Sequence, residues 1–189
     1  IQMNQYCDAI PWFTEYVDSM TAKQEIMQEP NQRASVISTA QNLAICLNNC
    51  KQFDAAYGVY KKVLTFEPEN IDALIGVARY QQQSGREAGD SARVAREAKN
   101  EKASVDWQNV RDVRFDTARV ALKKAFELSP DNADVAAEYG LMAAILQKYD
   151  EAKVAFVRAT ELDPTQVDHW TSLGDCNLQL KSWADAAAA

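Results

Sequence analysis

The same residue types recur every 34 positions along the C-terminal half of this chain. Pro130 and Pro164 are 34 apart, as are Gly140 and Gly174. So are Ala118, Ala152 and Ala186, and so are Phe115, Tyr149 and Trp183. A fixed period of this length builds an array of like supersecondary units, each burying its apolar face on the next. It does not build a globule wound around one central pocket. An upstream copy is offset. Phe53, Ala56 and Pro68 precede Phe115, Ala118 and Pro130 by 62 in each case, one period plus 28 residues. The text before the prolines agrees: Tyr60-Lys-Lys-Val-Leu-Thr-Phe-Glu-Pro68, Leu122-Lys-Lys-Ala-Phe-Glu-Leu-Ser-Pro130 and Phe156-Val-Arg-Ala-Thr-Glu-Leu-Asp-Pro164.

Each period reads as two helices and a turn. Glycine and proline are scarce, 6 and 5 in 189 residues, which suits long helices joined by short turns. The first clear unit has one helix over about Ser35–Asn49, a turn at Lys51-Gln52 and a second helix over Asp54–Phe66. Asp54, Asp116, Asp150 and Asp185 fall at the start of each second helix, where a carboxylate caps amide donors and offsets the positive helix end. Each proline then stops that helix, and Asn70 and Asn132 stand where the next one needs a cap. Residues 71–85 read as a first helix ending at Gly85, and the next second helix is Asp116–Leu128.

The expected organisation has four parts. Residues 1–33 are a degenerate terminal unit or capping helix, with Pro11 in its first turn after a cap at Asp8 and an end at Glu29-Pro30-Asn31-Gln32. Residues 34–85 hold one repeat and the first helix of the next. Residues 86–113 are a charged insertion, carrying Arg86, Glu87, Asp90, Arg93, Arg96 and Glu97 among others. It reads as a solvated extension of the two helices or a loop, with a projecting binding arm anchored by Trp107 as the sharper option. Residues 114–189 hold further repeats, the last one truncated, so the array is expected to continue. A start at Ile1 rather than methionine leaves room for a removed upstream segment.

These residues resemble the tetratricopeptide repeat. Trp170-x-x-Leu173-Gly174 is similar to the family's opening pattern, and Ala152-x-x-x-Phe156 with Pro164 to its closing one. The resemblance covers about residues 37–85 and 114–189. Asn177 departs from it, standing where the pattern has tyrosine, and Ala44 and Ala78 replace its glycine. It implies an all-α, right-handed α-solenoid of antiparallel helix-turn-helix hairpins. Small residues at Ala56, Ala118, Gly140, Ala152 and Gly174 let helices approach closely, while Tyr149, Phe156, Leu122 and Trp170 fill the space between them.

The family lays extended peptides along a concave groove lined by its first helices. Carried over position by position, the groove here consists of Gln41, Ile45, Asn48, Asp72, Ile75, Arg79, Gln82, Asp134, Ala137, Glu138, Leu141, Asp168, Thr171 and Asp175. One subfamily grips a partner's terminal carboxylate with lysine and asparagine. Those positions here read Gln41, Asn42, Ile45, Asp72, Gly76, Asp134 and Glu138, without lysine, so that mode is not expected. The carboxylates Asp134, Glu138, Asp168 and Asp175 favour a basic or amide-rich partner segment.

Chemistry is harder to find. The lone histidine, His169, has no nucleophile–acid arrangement around it and reads as a surface residue. No glycine-rich phosphate loop is present, and no cofactor is implied. Lys61-Lys62 and Lys123-Lys124 read as solvated helix faces. Cys46 and Cys50 share a helix face, half of what a zinc site needs, but lack a matching pair, so no metal is expected. Cys7, Cys46, Cys50 and Cys176 show no framework spacing and read as free thiols. A net charge of −7 with no basic stripe argues against nucleic acid. No apolar run is long enough for a membrane span. The compartment is unassigned, leaning cytoplasmic. The function expected is a protein–protein interaction scaffold rather than an enzyme. The alternatives are an architectural subunit, including a homo-oligomer, and the regulatory part of a larger enzyme.

Overall fold

The computed structural model describes the backbone of residues 3–180 and the side chains of residues 6–180. Among these residues every regular element is an α-helix: α1 (Met3–Thr21), α2 (Gln24–Gln28), α3 (Pro30–Asn49), α4 (Phe53–Phe66), α5 (Ile71–Glu97), α6 (Glu101–Leu128), α7 (Ala133–Ile145), α8 (Tyr149–Leu162) and α9 (Val167–Gln179). The chain is all-α, as the period requires. Trp183, Asp185 and Ala186 lie outside the described residues.

Helix limits step with the sequence. Helices α5, α7 and α9 begin at Ile71, Ala133 and Val167, while α4, α6 and α8 end at Phe66, Leu128 and Leu162. Both series advance by 62 and then by 34. Pro68, Pro130 and Pro164 each stand two residues beyond a helix end. Asn70 Oδ1 accepts the Ala73 N–H at 3.1 Å, and Asn132 Oδ1 accepts that of Val135 at 3.1 Å, as expected of caps. The aspartates do not cap. The caps of α4 and α8 are Gln52 and Lys148, neither with a side-chain bond. Asp54 accepts from the Tyr80 hydroxyl at 2.6 Å, and Asp116, deep inside α6, takes the Arg119 guanidinium at 2.9 Å. Asp54 and Asp150 lie in the first turns of their helices, where both still meet the positive helix end.

The hairpin turns share one backbone device. Lys51, Lys99 and Gln147 are left-handed, with φ of 60°, 57° and 59°. In each turn the following residue donates to the carbonyl five back: Gln52 to Leu47 at 2.9 Å, Asn100 to Ala95 at 2.9 Å and Lys148 to Ala143 at 2.8 Å. Lys51 and Gln147 keep the repeat spacing, which would put the middle turn at Gly85 counted from upstream, or at Val113 counted from downstream. It falls midway, at Lys99. The additional residues are therefore shared evenly, 14 to α5 and 14 to α6. Fourteen residues are about 3.9 helical turns, so both helices keep the faces they would otherwise have had.

Helix α5 thus runs through Gly85 rather than ending there. A Cβ at Gly85 would lie 2.5 Å from Phe115 Cε1, so glycine serves the close approach of α6 instead of a left-handed turn. Farther out Ala88, Ala92 and Ser104 are buried, and Ser104 Oγ donates to the Ala92 carbonyl at 3.0 Å. Residues 86–113 are the outer limbs of this helical hairpin.

Two compact units divide the chain, one up to Tyr80 and one from Gln81. In the first, Ile37, Ala40, Leu43 and Leu47 of α3 form a core with Ala56, Val63, Ala73 and Val17. Helix α1 adds Ile10, Phe13 and Tyr16 at its edge. Pro11 lies inside α1 and not in its first turn, so the Cys7 carbonyl loses its usual helical partner. Pro30 opens α3 at its first position, where a missing N–H costs nothing, rather than closing a preceding helix. Cys7 and Cys50 are joined in a disulfide with Cα atoms 5.8 Å apart. This corrects the expectation of four free thiols; Cys46 and Cys176 are free and buried.

In the second unit Ala143, Ala152, Phe156, Leu173 and Cys176 form one core cluster, with Tyr149 and Trp170 packed on it. Ala118, Ala152 and Ala159 are fully buried, as small residues at helix crossings should be. A Cβ at Gly140 would stand 3.0 Å from the Phe156 ring.

Candidate functional site

The first helix of each hairpin places its expected groove residues at i, i+3, i+4 and i+7, one face of a 3.6-residue helix. In the first unit these are Gln41, Ile45 and Asn48 on α3, with Asp72, Ile75 and Arg79 on α5. Ile45, Asp72 and Arg79 are exposed, and Gln41, Asn48 and Ile75 are half-buried. Three of the six, Gln41, Asn48 and Asp72, are engaged with neighbours. Gln41 Nε2 donates to Asp72 Oδ2 at 2.9 Å and to Asn70 Oδ1 at 3.3 Å, bridging α3 and α5. Asn48 Nδ2 donates to the Tyr60 hydroxyl at 3.1 Å, tying α3 to α4. Burial pushes the Tyr60 hydroxyl above its ordinary pKa, and the Asn48 bond only partly offsets this.

In the second unit Asp134, Ala137, Glu138 and Leu141 share a face of α7, and Asp168, Thr171 and Asp175 share a face of α9. Helix α7 touches α9 as well as α8, so the two faces adjoin. Asp134, Leu141, Asp168, Thr171 and Asp175 are exposed, while Ala137 and Glu138 are half-buried. Gln82, expected to line the groove, is buried at 8% exposure. It falls on the stripe that continues through Gly85, Ala88 and Ala92, all buried because α5 runs on past Gly85.

The charge on α7 and α9 has two origins. Asp134 and Asp168 occupy the first turns of their helices, where the helix field favours an anion. Asp175, well inside α9, and Glu138, inside α7, have no such explanation. Of the two, Asp175 is the exposed one, so its carboxylate faces solvent without a capping role.

A polar staple behind this surface was not legible in the sequence. Arg119 of α6 donates through Nη1 to Glu151 Oε2 of α8 at 2.8 Å, and Tyr139 of α7 donates its hydroxyl to the same oxygen at 2.8 Å. Three helices meet at one carboxylate. The Tyr139 bond, reinforced by Arg119, holds the Glu151 carboxyl below its usual value against the opposing effect of burial. Burial and the same hydrogen bond raise the Tyr139 hydroxyl. Burial works against the Arg119 charge, but Asp116 and Glu151 outweigh it. This arrangement ties α6, α7 and α8 to one another. Burial also raises the Cys46 and Cys176 thiols, leaving both poor nucleophiles at neutral pH.

No group of three or more histidine, cysteine, aspartate or glutamate side chains is placed to hold a metal among the described residues. No described helix is long and apolar enough to cross a membrane. Large apolar side chains do face solvent on the α5–α6 hairpin: Val94, Val105, Trp107, Val110 and Val113.

Residues 133–166, helices α7 and α8 with their flanking turns, match the family model of the tetratricopeptide repeat. Among solved structures, the MamA RS-1 ArsTM double mutant is similar at 17% identity and a TM-score of 0.59, over 97% of this chain and 80% of that one. MamA AMB-1 is similar at 16% identity and a TM-score of 0.59, over 95% and 92%. MamA 41-end from Desulfovibrio magneticus RS-1 is similar at 16% identity and a TM-score of 0.52, over 96% and 90%. At such identities the likeness is one of fold. No curated protein matches the sequence significantly.

Proposed function

We propose that this chain, whose residues 133–166 match the tetratricopeptide repeat, is an interaction scaffold whose α7–α9 face takes an extended, basic or amide-rich segment of a partner protein. The observation that supports this reading most is Asp175, an exposed carboxylate beyond the reach of helix capping on α9, which packs beside α7. Asp134 and Asp168 extend the row, and Leu141 and Thr171 supply apolar and hydroxyl contacts between them. Work of this kind is binding and not catalysis. Attraction between a carboxylate row and a cationic segment steers encounter, and salt weakens it over about 10 Å at 0.1 M.

The test is a binding series with peptides of matched length and basic, neutral or acidic composition. The basic peptide should bind best and weaken as salt rises. Asp134→Lys with Asp175→Lys should lower its affinity about tenfold or more. Equal affinity of the parent and doubly substituted chains for the basic peptide would end this reading.

A second reading has its own observation. The outward Val94, Val105, Trp107, Val110 and Val113 on the α5–α6 hairpin suit an architectural subunit that packs this limb in a larger assembly. Light scattering across a concentration range separates the two, since an isolated monomer that binds the basic peptide fits only the first.

A further inference from the structure

We infer that the Cys7–Cys50 disulfide is a redox latch that holds α1 as a releasable cap on the first repeat. Three features of the first unit carry this. The bond joins the N-terminal half of α1 to the C-terminal end of α3, at residues 43 apart in sequence. It is open to reductant, with Cys7 exposed and Cys50 partly so. Helix α1 lies along α3, but few of its described side chains are fully covered there. Val17 is its one fully buried side chain among those described, Ile10, Phe13 and Tyr16 are only partly covered, and Trp12 is 74% exposed. Pro11 removes one backbone bond from within the helix. The ion pair from Asp18 to Lys62, at 2.7 Å, lies in solvent.

A dithiol reductant supplies the chemistry. Its thiolate attacks one sulfur, the Cys7–Cys50 bond breaks, and the dithiol closes its own disulfide. Two electrons and two protons pass to the protein, leaving Cys7 and Cys50 as thiols. Cys46, one turn from Cys50, does not intercept the exchange, being buried. With the latch open, α1 lifts from the core cluster of Ile37, Ala40, Leu43 and Leu47. The apolar side chains of α3 that α1 covers are then exposed. The remainder of the molecule owes nothing to this bond, since α7, α8 and α9 have a core of their own.

The experiment uses the full chain, purified without reductant and then divided into untreated and dithiothreitol-treated portions. Alkylation under denaturing conditions should label two of the four cysteines before treatment and all four after it. Hydrogen exchange should show α1 losing protection by about tenfold or more on reduction, with α7 and α8 unchanged. Cys7→Ser and Cys50→Ser should each reproduce the reduced pattern without reductant. Four labels before treatment would overturn the proposal, and so would α1 protection that survives reduction. Loss of protection spread equally to α7 and α8 would do the same, because the bond would then be a staple for the whole fold.

Discussion

If residues 86–113 are shared evenly between the two limbs of one hairpin, removing all 28 should leave a folded chain. The deletion joins Gly85 to Arg114 and places Gly85 where Lys51 and Gln147 sit in the neighbouring turns. Phe115 then follows the turn as Phe53 and Tyr149 do. Each limb shortens by 14 residues, about 21 Å of helix. The losses are small, because what is buried along the removed segment is Ala88, Ala92 and Ser104. Two alanine methyls at about 0.8 kcal/mol each and one hydrogen bond of about 1 kcal/mol come to about 2–3 kcal/mol. Against this, glycine at a left-handed position relieves the roughly 1–2 kcal/mol that a lysine Cβ costs there. The net cost is at most about 2 kcal/mol, or a Tm shift of at most about 8 °C for a chain of this size. Circular dichroism and differential scanning calorimetry read the result, and small-angle scattering reads the shorter limb. Loss of helicity beyond the deleted residues, or loss of the cooperative transition, would refute the even division. Partner capture with the same protein asks whether the outer limb, with Trp107, contributes to binding.

Other expectations follow from packing and charge. Gly58→Ala should stabilise by about 1 kcal/mol, because a Cβ there meets nothing within 4 Å and the helix gains. Gly85→Ala should destabilise by about 1–2 kcal/mol, because its Cβ strikes the buried Phe115 ring. Equal urea midpoints for the two variants would count against the close approach of Phe115 to Gly85. Ala152→Leu should cost about 1–3 kcal/mol by overpacking the cluster of Ala143, Phe156 and Leu173, and an unchanged Tm would show that this crossing has slack. Glu151 has a folded-state pKa below its ordinary 4.5, so its contribution is present above that value and is lost as pH falls through the lower folded value. Glu151→Gln should therefore lose stability at neutral pH and show a shallower decline below about pH 4.5 in acid titration followed by circular dichroism. An acid limb parallel to that of the parent chain would mean that the carboxylate is not held as the Tyr139 and Arg119 contacts imply.

The array was legible because each unit repeats both its stop and its start. Pro68, Pro130 and Pro164 end one helix, and Asn70 and Asn132 cap the next through bonds that the structure contains. What escaped reading lay where one residue type serves two physical ends. Gly85 stands at the very position where Lys51 and Gln147 turn left-handed, so a glycine there signals a helix end. Its lack of a Cβ instead admits the Phe115 ring, and α5 continues to Glu97. Gln82 followed from that error. On a helix ending at Gly85 it belongs to an open face; on one that continues, it joins a buried stripe with Ala88 and Ala92. The disulfide escaped for a different reason. Cys7 lies in the one segment without the repeat, so no period relates it to Cys50, and only the packing of α1 on α3 brings the sulfurs together. The acidic surface stands between these cases. Helical spacing alone aligned Asp134 with Glu138 and Asp168 with Asp175, whereas the contact of α7 with α9 that joins the two rows belongs to tertiary packing. Local chemistry with a fixed period is thus readable along the chain, and a contact between segments that do not share the period is not.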